Sequence, residues 1–451
     1  MSLDDIHLIK DNQYNIVYHL PSSELKTVND TTFKVLSLLK EGYSVEDFED
    51  KDGYIQSFLY SFFDSSLNNG VESNAGETNK KRINRITLHV SNDCNLRCKY
   101  CYAQGGNYGI SRSFMTEQTA EQFVDFCVKE FDVVDRIVFF GGEPLLNPGV
   151  IDLICTKFKQ YRINKIIPYT PLFILVTNGT IISNEILKLI KDHIDVVSVS
   201  VDGEKEYHDA NRVYNDGKGS FEKVASFIRF IQNNTDKTVQ YEATYTQNHI
   251  NSGCRREKVM ESLKKQFGIL GAVVDEDSLG YYPLIEYWNN ILKLEADKIQ
   301  LEFLPEDFYN IFNKLLNNKD NHFCSIGRKS FAVNCNGDVY ACHLLNGKEN
   351  NKLGNIIGEN IFNTPSSYTS FYHNYSLKDT IKCRQCWARR LCGGCTVNAF
   401  YNKSTQEFVE DPNNDRCDFM KNYLEKIIAF IVRIRKTPSL WKQLVQISEI
   451  H

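Results

Sequence analysis

Three cysteines fall within eight residues of the stretch SNDCNLRCKYCYA, at Cys94, Cys98 and Cys101. Thiolates at this spacing can grip a metal, but three is one short of a closed tetrahedral zinc site, which wants a fourth Cys or His. No histidine follows Cys101 closely, and His89, upstream, falls inside a strand-like run. A 4Fe-4S cluster fits the count better: three thiolates hold three irons, and the fourth iron stays open to an outside ligand.

A second, denser group runs from Cys324 to Cys417. Cys324 is followed by Gly337 and Cys342, then by CRQCWARRLCGGC, which carries Cys383, Cys386, Cys392 and Cys395, and finally by Cys417. CxxC pairs of this kind suit a zinc ribbon as well as iron-sulfur clusters. Of the four remaining cysteines, Cys127 and Cys155 sit among apolar neighbours in helical patterns, where a free cysteine is a small buried hydrophobe. Cys254 and Cys335 stand alone. The opening residues, MSLDDIHLIKDNQ, carry acids where a secretion signal needs positive charge, and no 18-residue apolar run occurs. A cytoplasmic protein without a membrane segment is therefore expected, and there thiols serve as ligands rather than as disulfides. A formal charge of -5 argues against a nucleic-acid partner.

The elements that must position these groups alternate. RITLHVS, DRIVFFGG, FILVTNG, DVVSVSVDG and VQYEATYT read as strands, separated by helical segments such as TEQTAEQFVDFCVKEF, NEILKLIKDHI and SFEKVASFIRFIQNN. Strand-helix alternation predicts parallel strands with helices outside, an α/β barrel or a doubly wound sheet. The cysteine triplet, GGEP, TNGT and SVDG each follow the carboxyl end of a strand, where parallel α/β folds assemble their sites. Residues 255 to 320 read as a charged, partly helical bridge. Ahead of all this, DIHLIK, YNIVYHL and SELKTV read as short strands and DTTFKVLSLLKEG as a helix capped by its Asp, with SVEDFED and YIQSFLYSFF supplying further helix. A polar linker over residues 64 to 82 separates this module from the rest.

With CxxxCxxC after the first strand and GGEP after the second, the chain resembles the radical S-adenosylmethionine (SAM) superfamily. The resemblance implies a partial (β/α)6 TIM-like barrel whose first cluster, on Cys94, Cys98 and Cys101, is chelated by the amino and carboxylate groups of the cosubstrate. Reductive cleavage of that cosubstrate then yields a 5′-deoxyadenosyl radical. It further implies that Gly141 and Gly142 let backbone approach the methionine moiety, that Glu143 offers charge near its ammonium, and that Tyr100 lies against adenine. Ser200 and Arg212 would reach the ribose and carboxylate, with Thr177 and Asn178 beside them. Without a cosubstrate, Tyr100 is a core aromatic and Arg212 half of a surface ion pair. Glu242 is a further acid in the barrel, with no role assigned.

The second cysteine group resembles the SPASM extension of peptide-modifying radical enzymes, which binds two auxiliary 4Fe-4S clusters. Within that resemblance Cys383, Cys386, Cys392 and Cys417 hold the outer cluster and Cys324, Cys342 and Cys395 the inner one. Cys392 and Cys395 are closer together than the pattern expects. Three clusters with one open iron need eleven thiolates and ten positions match, so Cys335 or Cys254 fills the inner site or an iron stays open there. The amino-terminal module resembles the winged-helix-like RiPP recognition element, which binds the leader of a ribosomally made precursor peptide, though a purely structural cap is the alternative. The expected domains are residues 1–75 for leader binding, 83–290 for the radical SAM barrel, and 291–451 for bridge and SPASM domain. The expected enzyme is a peptide maturase that cross-links a cysteine-rich precursor, above all through a thioether, fed by a flavodoxin- or ferredoxin-type one-electron donor. The alternatives are formylglycine formation of the anaerobic sulfatase-maturating kind and carbon-carbon or ether cross-linking.

Overall fold

The computed structural model describes residues 3–44, 82–317, 323–357 and 380–448. The linker over 64–82 except Arg82, the segment SVEDFED except Ser44, and YIQSFLYSFF lie outside the described residues.

At the amino terminus β1 (Ile6–Lys10), β2 (Asn15–His19) and β3 (Glu24–Val28) form an antiparallel sheet in that order. Helix α1 (Asp30–Lys40) packs Val35, Leu36 and Leu39 against Ile6 and Val17 on one face. Ile9, Ile16 and Tyr18 on the other face join the main core, so both faces of the small sheet are covered. The cap of α1 is Asn29 rather than Asp30. The Asn29 side chain accepts from the Thr32 amide at 2.7 Å, and Asp30 becomes the first helical residue, where its charge suits the helix dipole.

The central sheet has nine strands. Six are parallel and neighbours in chain order: β4 (Arg85–Ser91), β5 (Arg136–Gly141), β6 (Leu172–Thr177), β7 (Val196–Ser200), β8 (Thr238–Tyr245) and β9 (Gly271–Asp275). Helices such as α2 (Glu117–Glu130), α3 (Pro148–Ile163) and α4 (Asn184–His193) cover the outside, burying Phe123, Cys127, Ile154 and Cys155. Fully buried Cys127 and Cys155 fill core volume. Strand β9 falls in the stretch read as a helical bridge. Its sequence, GAVVD, is short, and it pairs with β8 only because Gly271 has no side chain: a Cβ there would lie 1.9 Å from the Tyr241 carbonyl oxygen.

The cysteine-rich region continues this sheet. Strand β10 (Ser330–Val333) pairs parallel with β4, and β11 (Asp338–Tyr340) and β12 (Lys352–Asn355) follow antiparallel. The second cysteine group is thereby fixed to the strand that ends at the first. The long helix α5 (Asn414–Arg435) buries Tyr423, Leu424, Ile427 and Phe430 behind it.

Candidate active site

The cysteine loop leaves β4 beside the end of β5, and main-chain bonds join the two. Gly142 N donates to Ser91 O and Glu143 N to Asp93 O, both at 2.8 Å. The Asp93 carboxylate accepts from Cys94 N at 2.8 Å, which sets the first cysteine's direction. A cavity of about 720 Å³ opens at these strand ends, lined by Cys94, Cys98, Tyr100, Cys101, Gly141, Gly142, Thr177, Asn178, Ser200 and Arg212. Ten of the residues singled out in the sequence thus share one cavity. His89 does not: it is fully buried in β4, bonded to Asn346 at 3.0 Å.

Glu143 departs from expectation. Its carboxylate is fully buried, off the cavity, and accepts from the Thr177 hydroxyl (2.7 Å), Asn178 N (2.7 Å) and Leu145 N (3.0 Å). Burial raises its pKa to about 7 against the lowering pull of these donors. Glu143 fastens the end of β5 to the turn after β6, and what faces the cavity here is the glycine backbone. The two glycines serve a protein contact: a Cβ on Gly141 would lie 2.1 Å from Ser91 O, and one on Gly142 2.2 Å from Asp93 O. Asn178, held by that turn, donates to Asn95 Oδ1 at 2.8 Å and lies 3.6 Å from Cys94 Sγ. Burial pushes the Cys94 and Cys98 thiols up to about 12 and about 11. They are protonated at neutral pH until a cation displaces the protons.

The far wall is organised by a residue that the sequence reading passed over, although it is the Asp of SVDG. Asp202 is fully buried and accepts from Tyr100 OH (2.5 Å), Arg212 Nε (3.0 Å) and Thr244 N (2.9 Å). Arg212 is accordingly no surface ion pair. It is 8 % exposed, and its guanidinium also lies 5.4 Å from the Tyr100 ring centroid. Burial works against its charge, but the Asp202 carboxylate outweighs it and the pKa is raised. Asp202→Ala leaves this buried cation unpaired, with an expected loss of about 3–5 kcal/mol of stability, read as a lowered thermal midpoint. Glu242 also lines the cavity, with burial raising its pKa.

The second group divides into two sites. Cys383, Cys386, Cys392 and Cys417 stand round a cavity of about 210 Å³, far more room than a single ion needs, together with Lys382, Arg416 and Lys421. Local caps hold the loops: the Thr380 hydroxyl accepts from Cys383 N, and Asn413 caps the helix that carries Cys417. Cys324, Cys342 and Cys395 gather instead against Ile326, Tyr340, Leu345 and Val397. The dipeptide between Cys392 and Cys395 joins the two sites.

Neither sequence candidate for a fourth inner ligand is nearby. Cys335 points back into the barrel, its thiol 3.2 Å from His89 O, and Cys254 lies beside Tyr245. Both donor sets are chemically suited to iron-sulfur clusters, four thiols at one site and three at the other.

Residues 88–242 match the family profile described as the radical SAM superfamily, and residues 324–387 match SPASM, described as an iron-sulfur cluster-binding domain. A cysteine-type anaerobic sulfatase-maturating enzyme of Clostridium novyi is 28% identical over 384 residues, covering 79% of this chain and 98% of that protein. The antilisterial bacteriocin subtilosin biosynthesis protein AlbA of Bacillus subtilis is 23% identical over 374 residues, covering 76% of this chain and 73% of its own. The solved structure of native anSMEcpe with bound AdoMet and Cp18Cys peptide is similar in fold, with a TM-score of 0.62 at 21% identity, covering 81% of this chain and 99% of that one. Among the described residues no helix is long and apolar enough to cross a membrane.

Proposed function

We propose that this chain, a radical SAM enzyme carrying a SPASM iron-sulfur domain, matures a ribosomally made, cysteine-rich precursor peptide by closing a cross-link, above all a thioether from a cysteine sulfur to a carbon. Its cofactors are 4Fe-4S clusters and S-adenosylmethionine, which together supply the 5′-deoxyadenosyl radical that takes a hydrogen atom from an unreactive carbon. A flavodoxin- or ferredoxin-type protein would bring the electron.

The observation that carries the cross-linking reading is the inner site. Three thiols, Cys324, Cys342 and Cys395, have no fourth cysteine beside them, and their neighbours Leu344, Val397 and Asn398 line the same cavity as Cys94, Cys98 and Cys101. A peptide cysteine in that cavity could complete the inner donor set while its partner carbon faces the first site.

The protein's own residues have definite tasks in this scheme. Cys94, Cys98 and Cys101 would hold the first cluster. Arg212, fixed by Asp202, would present positive charge to the cosubstrate's carboxylate, and Tyr100 would offer the cosubstrate a flat wall. The main chain at Gly141 and Gly142 would line its methionine end, with Ser200 and Asn178 on the adjoining strand ends. Leu96, Phe140 and Val176 add apolar surface to the lining, and Glu242, Asp275, Glu276, Lys348 and Lys403 add charge.

The amino-terminal sheet would bind the leader. Among the described residues β1 and β3 are the edges of this sheet, and an extended peptide would join one of them as a further strand. A substrate stripped of its leader is expected to lose about 100-fold in kcat/KM, measured against the full precursor. An unchanged kcat/KM would make the module a structural cap.

A second reading, oxidation of a cysteine or serine to formylglycine, is favoured by the sulfatase-maturating relative, which this chain covers almost completely. Mass spectrometry of co-expressed peptide separates the two. A thioether product loses two hydrogens per link, keeps its sulfur and resists thiol alkylation. Formylglycine reacts with a hydrazide, and that result would replace the cross-linking proposal.

A further inference from the structure

Arg416 lies where the two auxiliary sites meet. It is 4 % exposed. Its Nη1 stands 4.0 Å from Cys392 Sγ, and its Nη2 donates to the carbonyl of Gly393. The guanidinium rests 5.4 Å from the Phe323 ring centroid, and a Cβ on Gly394 would meet Nη2 at 3.2 Å. It is thus held from Cys392 to the edge of Cys395, with the bare glycine pair making room. Among the described residues Arg416 has no carboxylate partner: neighbouring Asp418 pairs with Lys421 at 3.6 Å, and Asp415 is exposed.

A guanidinium cannot shed its proton, and a buried cation without a counter-charge is strongly disfavoured. The negative charge it needs has to come from the thiolates on either side. The other cations at the outer cavity, Lys382, Arg389 and Lys421, are less buried than Arg416, and Lys382 is already bonded to Asn414 and Pro412. They serve the outer site alone, whereas Arg416 reaches both.

We propose that Arg416 is a counter-cation shared by the outer and inner auxiliary clusters, raising the reduction potential of both. The proposal rests on the assignment of two clusters to Cys324, Cys342, Cys383, Cys386, Cys392, Cys395 and Cys417. Each reduction adds one electron from an external donor, and a fixed cation beside the cluster favours the more negative, reduced form.

The test is a mediated redox titration of full-length, cluster-loaded protein, followed by electron paramagnetic resonance, on wild type, Arg416→Gln and Arg416→Lys, with iron and sulfide counted in each. At the potential that half-reduces the wild-type auxiliary clusters, Arg416→Gln is expected to lower their reduced-to-oxidised ratio about tenfold. Arg416→Lys should restore most of that ratio, and the cluster whose signal responds to S-adenosylmethionine should not shift. Full iron content with an unchanged ratio in Arg416→Gln overturns the proposal. If Arg416→Gln fails to load, Arg416→Lys decides: a ratio close to wild type supports a role for charge, and a tenfold fall overturns it in favour of packing. Wild-type iron too low for the auxiliary clusters would instead defeat the cluster assignment itself.

Discussion

Replacing Cys94, Cys98 and Cys101 together by alanine will abolish 5′-deoxyadenosine formation and remove about four irons per chain, leaving the iron at the second cysteine group in place. Beyond two long bonds to Cys94 Sγ, from Leu96 N at 3.4 Å and Asn178 Nδ2 at 3.6 Å, the loop is shaped by bonds that do not involve the thiols, which is why the loss will be specific. Asp93 holds the Cys94 amide, Arg97 N donates to Val213 O at 2.7 Å, and Lys99 N donates to Asn211 O at 3.0 Å. These bonds are all made by main chain or by side chains that the substitutions spare, so the triple variant should fold with a near-native thermal midpoint. Anaerobic reconstitution, iron and sulfide analysis, and chromatography of the nucleoside product after reduction are the measurements. Undiminished iron with continued 5′-deoxyadenosine release would mean that the radical chemistry is housed elsewhere in the chain.

The strands that carry this site were legible because each is a run of alternating or continuous β-branched and aromatic residues followed by an unusual turn. Where that contrast fades, the reading fails. Strand β9 has five residues beside charged neighbours, and its pairing depends on one glycine that looks like any loop glycine. Asp202 was hidden because its role depends on three donors from separate segments, at Tyr100, Arg212 and Thr244, and no spacing rule links them. Glu143 shows the opposite error. Its motif marked the right place, but a motif does not say whether a side chain faces a cavity or is turned into the protein, and here three donors draw it inward. The thiolate count at the inner site was readable by arithmetic alone. That Cys335 could not fill the gap was not, since its thiol direction is set by β10 pairing with β4.

Gly142→Ala will damage both the fold and the activity. The added Cβ would lie 2.2 Å from Asp93 O, 2.5 Å from Asp93 C and 2.9 Å from the Gly106 Cα, all main-chain atoms, so no rotamer change can relieve it. The chain must instead part, breaking the Glu143 N to Asp93 O bond and swinging Cys94 away from Asn178. Overpacking of this kind costs about 1–3 kcal/mol, and losing a buried main-chain bond about 1–3 kcal/mol more. The catalytic effect will exceed the thermodynamic one, because a displacement of about 1 Å at a site that must align a cosubstrate with a carbon costs about 100-fold in rate. Gly149 provides the control: a Cβ there meets nothing within 4 Å, and Gly149→Ala should match wild type in both thermal midpoint and 5′-deoxyadenosine rate. Equal behaviour of the two variants would show that the junction between residues 91–93 and 141–143 is slack, and the positional argument for the first cysteine group would fall with it.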